Sequence, residues 1–127
     1  MKVRKILIMD DEQSVLDITA LLLQHLGYEV LSARDGEEAL LLFNESNTSG
    51  TPPDLTILDL NVGHGKGGLE IVGELIKNCP DMRCIATSGI MDDDIIEKCR
   101  SAGFTSSLEK PYGLAELKQA IDAIADN

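Results

Sequence analysis

The chain has 127 residues, of which 43% are hydrophobic and 26% are charged, and its formal net charge is −11 at pH 7. That length fits one domain, residues 1–127, whose core can bury roughly two thirds of the surface that the unfolded chain exposes. The excess of acidic residues excludes a nonspecific grip on nucleic acid or on an anionic membrane, because both need a basic face.

Short aliphatic runs alternate with amphipathic segments along the whole chain. The predicted strands are residues 4–9, 28–33, 54–60, 83–88 and 104–109. The predicted helices that follow them are residues 14–26, 36–46, 68–79, 92–102 and 113–125. This alternation is typical of an α/β fold, in which a parallel sheet is covered by helices on both faces. The first and third strands are nearly continuous in apolar residues, so we expect them to lie centrally.

Cysteine usage and the start of the chain both favour a reducing compartment. The cysteines are odd in number and lack the CxxC spacing of zinc sites, so we expect three buried small hydrophobic side chains: Cys79, Cys84 and Cys99. No apolar run approaches the roughly 20 residues that span a bilayer, and the first run is too short for a signal peptide. We therefore expect a cytoplasmic protein.

Polar side chains mark the ends of four predicted strands. In an open α/β sheet, ligands bind outside the carboxyl ends of the strands, near the point where the strand order reverses. We therefore expect these side chains to face one crevice. They are Asp10 and Asp11 after the first strand, Asp59 in the third, Thr87 and Ser88 in the fourth, and Lys110 after the fifth.

This set of side chains indicates a phosphoryl-transfer site. Clustered carboxylates raise each other's pKa unless a cation offsets them, and Mg²⁺ typically takes one or two carboxylates while leaving positions for phosphate oxygens. Asp59 with either Asp10 or Asp11 fits such an open site, and Lys110 and Ser88 are then free to bind the other phosphoryl oxygens. The implied reaction is attack of an aspartate carboxylate on phosphorus. Taken alone, the Asp10–Asp11 pair is also typical of a helix cap or turn, Ser88 of a turn, and Lys110 of a solvated strand end. Only their joint occurrence favours the site.

A glycine pattern, GxGxxG at residues 63–68, allows a competing interpretation as a dinucleotide-binding loop. That motif normally follows the first strand of its fold, whereas here it follows the third. A P-loop is excluded as well, because Lys66 is followed by Gly67 and not by serine or threonine. We interpret the glycines as letting the backbone approach Asp59 without side-chain obstruction.

The order of these motifs resembles that of response-regulator receiver domains, and the similarity extends from Lys5 to Asp126. The matching segments are MDDE (9–12), GYEV (27–30), ARDGEEAL (33–40), DLTILDL (54–60), ATSG (86–89), AGF (102–104) and KPY (110–112). The resemblance implies a doubly wound, flavodoxin-like (βα)5 fold with five parallel strands in the order 2-1-3-4-5.

The resemblance also implies a role for each site residue. It makes Asp59 the phosphoacceptor, Asp10 and Asp11 the acidic pair that binds Mg²⁺ with Asp59 and the Asn61 carbonyl, Ser88 the switch hydroxyl, and Lys110 the phosphoryl-sensing lysine. The implied partner is a histidine kinase or a histidine phosphotransfer protein. From the net charge we expect no direct contact with nucleic acid or membrane, and we expect a monomer or weak dimer. Such a domain catalyses only its own phosphorylation and dephosphorylation and is not otherwise an enzyme.

Two departures from the family pattern stand out. Val62 and Gly63 replace the usual Met-Pro pair, and the loop is one residue longer, as in receivers at the C-terminal end of hybrid sensor kinases. Ser107 occupies the family's aromatic switch position, three residues before Lys110, and Phe104 is offset from it and expected in the core.

The leading hypothesis is a phosphoacceptor module that takes a phosphoryl group from a phosphohistidine and switches the surface of the fourth helix, fifth strand and fifth helix. An alternative is a pseudo-receiver that docks partners without being phosphorylated. A third hypothesis is a flavodoxin-like electron carrier; the chain has four aromatic residues and none beside the glycine loop, which disfavours flavin stacking.

Overall fold

The computed structural model of the chain describes residues 2–125, so Met1, Asp126 and Asn127 of the expected 1–127 domain lie outside the described residues. Strands and helices alternate throughout. The strands are β1 (Lys5–Met9), β2 (Glu29–Ala33), β3 (Leu55–Asp59), β4 (Arg83–Ser88) and β5 (Ser106–Glu109). The helices are α1 (Gln13–His25), α2 (Gly36–Thr48), α3 (Gly68–Asn78), α4 (Asp93–Ala102) and α5 (Leu114–Ala125).

The five strands form one parallel sheet in the order β2-β1-β3-β4-β5, which confirms the predicted fold. The chain passes from β1 outward to β2 and then returns to β3 on the other side of β1. The strand order therefore reverses between β1 and β3, and the carboxyl ends of these two strands flank a crevice. Their register pairs Met9 with Leu58, so the residues that follow them, Asp10 and Asp59, are neighbours.

Alternate residues of the strands β1 to β4 pack into two separate cores. In β1, Leu7 and Met9 pack in the core with α2, α3 and α4, whereas Ile6 and Ile8 pack in the core with α1 and α5. Because helices cover both faces, all five residues of β3 are buried. This two-sided burial explains the continuous apolar runs of the central strands.

Aspartates begin two of the helices that flank the site. Asp35 caps α2 by accepting a hydrogen bond from the Glu38 N–H at 2.9 Å. The predicted helix at 92–102 begins one residue later, because Asp92 is the N-cap of α4 and accepts from the Ile95 N–H at 2.9 Å. Both caps satisfy a backbone donor that has no partner within its own helix.

The cysteines follow expectation in part. Cys84 and Cys99 are buried, but Cys79 is only half-buried, because it lies at the C-terminal end of α3 rather than inside an element; all three are free thiols. Between residues 2 and 125, no helix combines the length and the apolar character needed to cross a bilayer.

Candidate functional site

Three carboxylates converge where β1 and β3 end. Asp10 and Asp11 follow β1, and Asp59 is the last residue of β3. One oxygen of each carboxylate lies within 4.8 Å of those of the other two. Asp10 is only 4% exposed and Asp59 only 2% exposed, so two of the three negative charges are withdrawn from water. Such a cluster requires a compensating cation.

Lys110 supplies one positive charge to this cluster. Its Nζ lies 2.8 Å from Oδ2 of Asp10 and 3.0 Å from Oδ2 of Asp59. The side chain reaches them because the Lys110 N–H donates to the Ser88 carbonyl at 2.8 Å, which extends the pairing of β5 with β4. Burial alone would lower the pKa of Lys110, but its hydrogen bonds to Asp10 and Asp59 and their charges outweigh burial and raise it.

The ionised form of Asp59 remains disfavoured despite its contact with Lys110. Burial raises the pKa of Asp59, and the nearby charge of Asp10 raises it further. The hydrogen bonds from the Asn61 N–H and from Lys110, together with the lysine charge, oppose that rise without cancelling it. Three carboxylates against one ammonium leave two excess negative charges when all four groups are ionised.

The donor set fits a hard divalent cation such as Mg²⁺. Carboxylate oxygens are the ligands that Mg²⁺ prefers, and the half-buried Asp11 keeps one side of the cluster open to water or phosphate oxygens. Asn61, to which the resemblance assigns a further ligand, is directly linked to the cluster, since its N–H donates to Oδ1 of Asp59 at 3.1 Å. The excess negative charge supplies the electrostatic reason for a cation to bind.

Ser88 lies beside this cluster at the end of β4 and is buried. Its hydroxyl oxygen accepts from the Ile90 N–H at 3.3 Å and lies 3.5 Å from Nδ2 of Asn61. Both neighbours are donors, so the hydroxyl proton of Ser88 remains available for an acceptor in the crevice. Thr87, the other hydroxyl predicted there, is buried within β4, and its carbonyl accepts from the Leu60 N–H at 2.9 Å.

The glycine loop between β3 and α3 is hydrogen-bonded to the cluster and to the start of α2. The Gly63 N–H donates to Oδ2 of Asp11 at 2.7 Å. Further along, the Lys66 N–H donates to Oε1 of Glu37 at 3.2 Å, and the Lys66 carbonyl accepts from the Gly36 N–H at 2.7 Å. Sequence reasoning missed these contacts with α2, although the ARDGEEAL segment contains the glycine that permits them.

Two glycines allow this close approach of backbones. A Cβ atom at Gly36 would lie 2.6 Å from the Lys66 carbonyl oxygen, which is too close for any other residue without a shift of the loop. Gly65 has a φ of 79°, a left-handed conformation that glycine adopts without strain. A Cβ atom at Gly68, at the end of the glycine pattern, would lie 3.0 Å from the Asp59 carbonyl oxygen. This close approach supports the interpretation that glycines let the backbone approach Asp59, and the contact with α2 was not foreseen.

A cavity of about 560 Å³ opens beside the carboxylates, between α1 and the segment after β5. It is lined by Glu12, Val15, Ile18, Thr19, Asp59, Asn61, Gly89, Lys110, Pro111 and Tyr112. Tyr112 packs against the core shared by α1 and α5, and its hydroxyl lies 3.1 Å from Oγ1 of Thr19. Thr19 was not identified from the sequence; the one available signal was a hydroxyl on the apolar face of a helix.

Ser107 lies half-buried on β5 and lines a smaller recess of about 140 Å³. Ile96, Cys99 and Arg100 of α4 and the buried Phe104 also line this recess. The departure at position 107 therefore leaves a hydroxyl-lined gap between α4 and β5, and Phe104 is a core residue, as predicted.

Known proteins resemble this chain in sequence and in fold. The model of the response regulator receiver domain family matches residues 6–122. Response regulator GacA of Pseudomonas syringae pv. syringae (strain B728a) is 32% identical over 119 residues, which are 92% of this chain and 53% of GacA, so the chain spans about half of that relative. The CAI-1 autoinducer sensor kinase/phosphatase CqsS of Vibrio cholerae is 41% identical over 75 residues, covering 59% of this chain and 10% of CqsS.

The same relationship holds among solved structures. A response regulator receiver domain protein from Clostridium thermocellum superposes with a TM-score of 0.85 at 31% identity, covering 98% of this chain and 95% of that one. The family match, the alignment with GacA and the superposition each extend over at least nine tenths of the chain. The chain therefore belongs to the response regulator receiver domains of two-component signalling.

Proposed function

We propose that this receiver domain is a phosphoacceptor in which Asp59 takes a phosphoryl group, with Mg²⁺ held by Asp10, Asp11, Asp59 and the carbonyl of Asn61. The observation that carries the proposal is the contact of Lys110 with two buried carboxylates in the crevice where the strand order reverses. Bound Mg²⁺ would neutralise charge on the phosphoryl oxygens. An ammonium beside an acidic cluster is suited to the same task once a phosphoryl group enters.

The side chains divide the remaining work. An oxygen of Asp59 attacks phosphorus, the bond from phosphorus to the donor nitrogen breaks, and its electron pair stays on that nitrogen. Lys110 exchanges its carboxylate partner for a phosphoryl oxygen, and Ser88 donates its free hydroxyl proton to another. Phosphorylation adds roughly 1.5 to 2 negative charges at Asp59. Lys110 and Ser88 move toward that charge. Their movement shifts the equilibrium between two conformations of the α4–β5–α5 surface.

The proposed donor is a phosphohistidine on a histidine kinase or a histidine phosphotransfer protein, the proteins with which receiver domains interact. Two apolar side chains on α1, Ile18 and Leu21, are exposed, and Ile18 also lines the cavity that reaches Asp59. An apolar surface beside a reactive carboxylate is suited to a partner helix that brings its histidine to that carboxylate. We therefore place donor docking over α1.

The wider setting is also part of the proposal. The similarity to a segment of a sensor kinase, together with the lengthened loop, favours a receiver that takes part in a phosphorelay with a hybrid kinase. A cytoplasmic location agrees with the three free thiols, and the net charge of −11 disfavours direct nucleic-acid binding. We expect a monomer or weak dimer whose chemistry is confined to its own phosphorylation and dephosphorylation.

The test is to incubate the protein with acetyl phosphate, with and without Mg²⁺, and to measure intact mass. Wild type is expected to gain one phosphoryl group only with Mg²⁺, and Asp59→Asn is expected to gain none. Asp81→Asn is the matched control, because Asp81 is exposed and precedes β4, at the edge of the sheet opposite to the site.

Each other outcome has a definite meaning. Equal uptake by wild type and Asp59→Asn would contradict the assignment of the phosphoacceptor. No uptake by wild type, when Mg²⁺ binding is shown by calorimetry and the donor phosphorylates a control receiver, would favour the pseudo-receiver alternative. In that case, the hydroxyl-lined recess at Ser107 is the first feature to compare with phosphorylated receivers.

A further inference from the structure

The two hydroxyls that meet between α1 and the segment after β5 form a contact that the chemistry above does not use. Thr19 is 4% exposed and lies on the buried face of α1 with Leu16 and Leu23. Its Oγ1 lies 3.1 Å from the hydroxyl of Tyr112, which is 93 positions away in sequence. A hydroxyl in such apolar surroundings needs a partner, and each of these two groups supplies the other's.

The Tyr112 end of this contact is joined to Lys110 by a short, restricted segment. Only Pro111 separates Lys110 from Tyr112, and proline fixes its own φ. The segment is tied at three points: the Lys110 N–H to the Ser88 carbonyl, the Lys110 ammonium to Asp10 and Asp59, and the Tyr112 hydroxyl to Thr19. A displacement of the Lys110 backbone is therefore expected to move Tyr112 as well.

Tyr112 also lies within the electrostatic field of the carboxylates. Burial raises the pKa of the Tyr112 hydroxyl, and the hydrogen bond with Thr19 opposes that rise. The charges of Asp10 and Asp59 raise it and that of Lys110 lowers it. A change of charge at Asp59 therefore acts electrostatically on the Tyr112 hydroxyl, in addition to any effect that is transmitted through the backbone.

The position three residues before Lys110, where the family has its aromatic switch residue, carries no aromatic ring in this chain. Ser107 has a short side chain that lines the recess against α4. Tyr112 is the aromatic residue that borders the same cavity as Lys110 and Asp59, and it points to α1 instead of α4.

We propose that Tyr112 is a positioning residue for Lys110, and that its hydrogen bond with Thr19 transmits the charge change at Asp59 to α1. The inference rests on the proposed function, since it concerns the lysine of that site. It makes α1, the helix over which the donor is proposed to dock, responsive to whether Asp59 is already occupied.

Three variants test this role: Tyr112→Phe and Thr19→Val remove one hydroxyl each, and Thr19→Ser keeps the hydroxyl while removing a methyl group. With acetyl phosphate and saturating Mg²⁺, the maximal rate of uptake is expected to fall about threefold to tenfold in the first two variants. The donor concentration at half-maximal rate should stay unchanged, because Lys110 acts on the transferring group, and Thr19→Ser should restore the rate.

The second readout is the amide NMR spectrum of residues 18–22 on α1. In wild type and Thr19→Ser these signals are expected to shift on phosphorylation, and in Thr19→Val and Tyr112→Phe the shift should fall below about half of its wild-type size. Full-sized shifts in Thr19→Val would overturn the proposal. Circular dichroism of each variant establishes that its helices are intact.

A third readout does not depend on phosphorylation. The chain has no tryptophan and two tyrosines, so Tyr28→Phe leaves Tyr112 as the only tyrosine emitter. In that background, Asp59→Asn removes one charged partner of Lys110 and is expected to change Tyr112 emission, and adding Thr19→Val should alter that response.

These readouts separate the two proposals. Uptake by wild type with no response of Tyr112 or α1 would overturn the positioning role alone. A Tyr112 response to Asp59→Asn without any phosphoryl uptake would overturn the phosphoacceptor proposal while supporting the connection from Lys110 to α1.

Discussion

The Lys110 ammonium lies 3.0 Å from Oδ2 of Asp59, and this contact joins the end of β5 to the end of β3 across the intervening β4. The lysine acts as an internal counterion for a cluster that still carries excess negative charge. It therefore stabilises the cluster and also competes with an added cation for the same carboxylates.

Replacing Lys110 should have opposite effects on the affinity for Mg²⁺ and on the rate of phosphoryl uptake. Lys110→Met is expected to bind Mg²⁺ roughly threefold to tenfold more tightly, because a nearby positive charge is removed. Its maximal rate of phosphoryl uptake should fall at least about tenfold, because a phosphoryl oxygen loses its ammonium partner. Calorimetry and intact mass measure the two effects. Lys98→Met, at an exposed position on α4, is the control, and weaker Mg²⁺ binding by Lys110→Met would contradict the counterion role.

The raised pKa of Asp59 predicts that this residue costs the fold stability at neutral pH. Its folded-state pKa exceeds its ordinary value of 3.8, so the folded state holds the proton more tightly than the unfolded state. Stability is therefore lost as pH rises from 3.8 through the folded-state pKa. Asp59→Asn should raise the thermal midpoint at pH 7, and the difference from wild type should shrink as pH falls toward 3.8. Thermal circular dichroism at several pH values measures this, and an unchanged or lower midpoint at pH 7 would show that burial does not dominate.

Magnesium should reverse that order of stability. A ligand at about 100 times its dissociation constant stabilises the folded state by about 2.7 kcal/mol. Wild type should gain this amount, and Asp59→Asn should gain less because it offers one carboxylate fewer. Thermal midpoints with Mg²⁺ or with the same ionic strength of NaCl provide the measurement. Equal gains by the two proteins would place the cation away from Asp59.

Two exposed apolar residues on opposite layers allow a matched test of the docking surface. Ile18 on α1 is 58% exposed and Leu41 on α2 is 57% exposed. Ile18→Lys is expected to slow transfer from a phosphorylated histidine phosphotransfer protein about tenfold, because a charge enters an apolar contact. Uptake from acetyl phosphate should stay unchanged, and Leu41→Lys should leave both rates unchanged. An equal effect of the two substitutions on protein-donor transfer would move the docking surface away from α1.

Two glycines likewise allow a matched test of the loop. Gly36→Ala places a Cβ atom 2.6 Å from the Lys66 carbonyl oxygen and should destabilise the fold by roughly 1–3 kcal/mol. Gly73, inside α3, has no heavy atom within 4 Å of such a Cβ, so Gly73→Ala should stabilise the fold by roughly 0.5–1 kcal/mol. Denaturant unfolding measures both values. A stable Gly36→Ala protein would mean that the loop is free to move away from α2.

Much of the fold was accessible from the sequence because its signals are local and periodic. Alternating apolar runs and amphipathic segments determine the parallel sheet, and the burial of β3 on both faces produces its apolar run. The proximity of Asp10 and Asp59 could be predicted, because the carboxyl ends of neighbouring parallel strands meet at one edge of the sheet. The predicted start of α4 at Asp92 differs by one residue from the observed start, because aspartate is favoured both at the N-cap and in the first turn of a helix.

Contacts between loops and helices were harder to foresee, because no periodicity reports them. The Thr19–Tyr112 hydrogen bond joins positions that are 93 residues apart, and the Lys66–Gly36 contact joins a loop to the start of a helix. The simultaneous contact of Lys110 with Asp10 and Asp59 is visible only in the structure, since the sequence indicates one crevice but not which carboxylates the ammonium reaches.

The attachment of the glycine loop to α2 has a consequence for protein engineering. Two of the loop's hydrogen bonds end on Gly36 and Glu37, which lie about 30 positions earlier in the chain. A graft of residues 62–67 into another receiver would therefore lack the residues of α2 to which the loop is hydrogen-bonded. The transferable unit is the loop together with the first turn of α2, and a host with a larger residue in place of Gly36 would reject it.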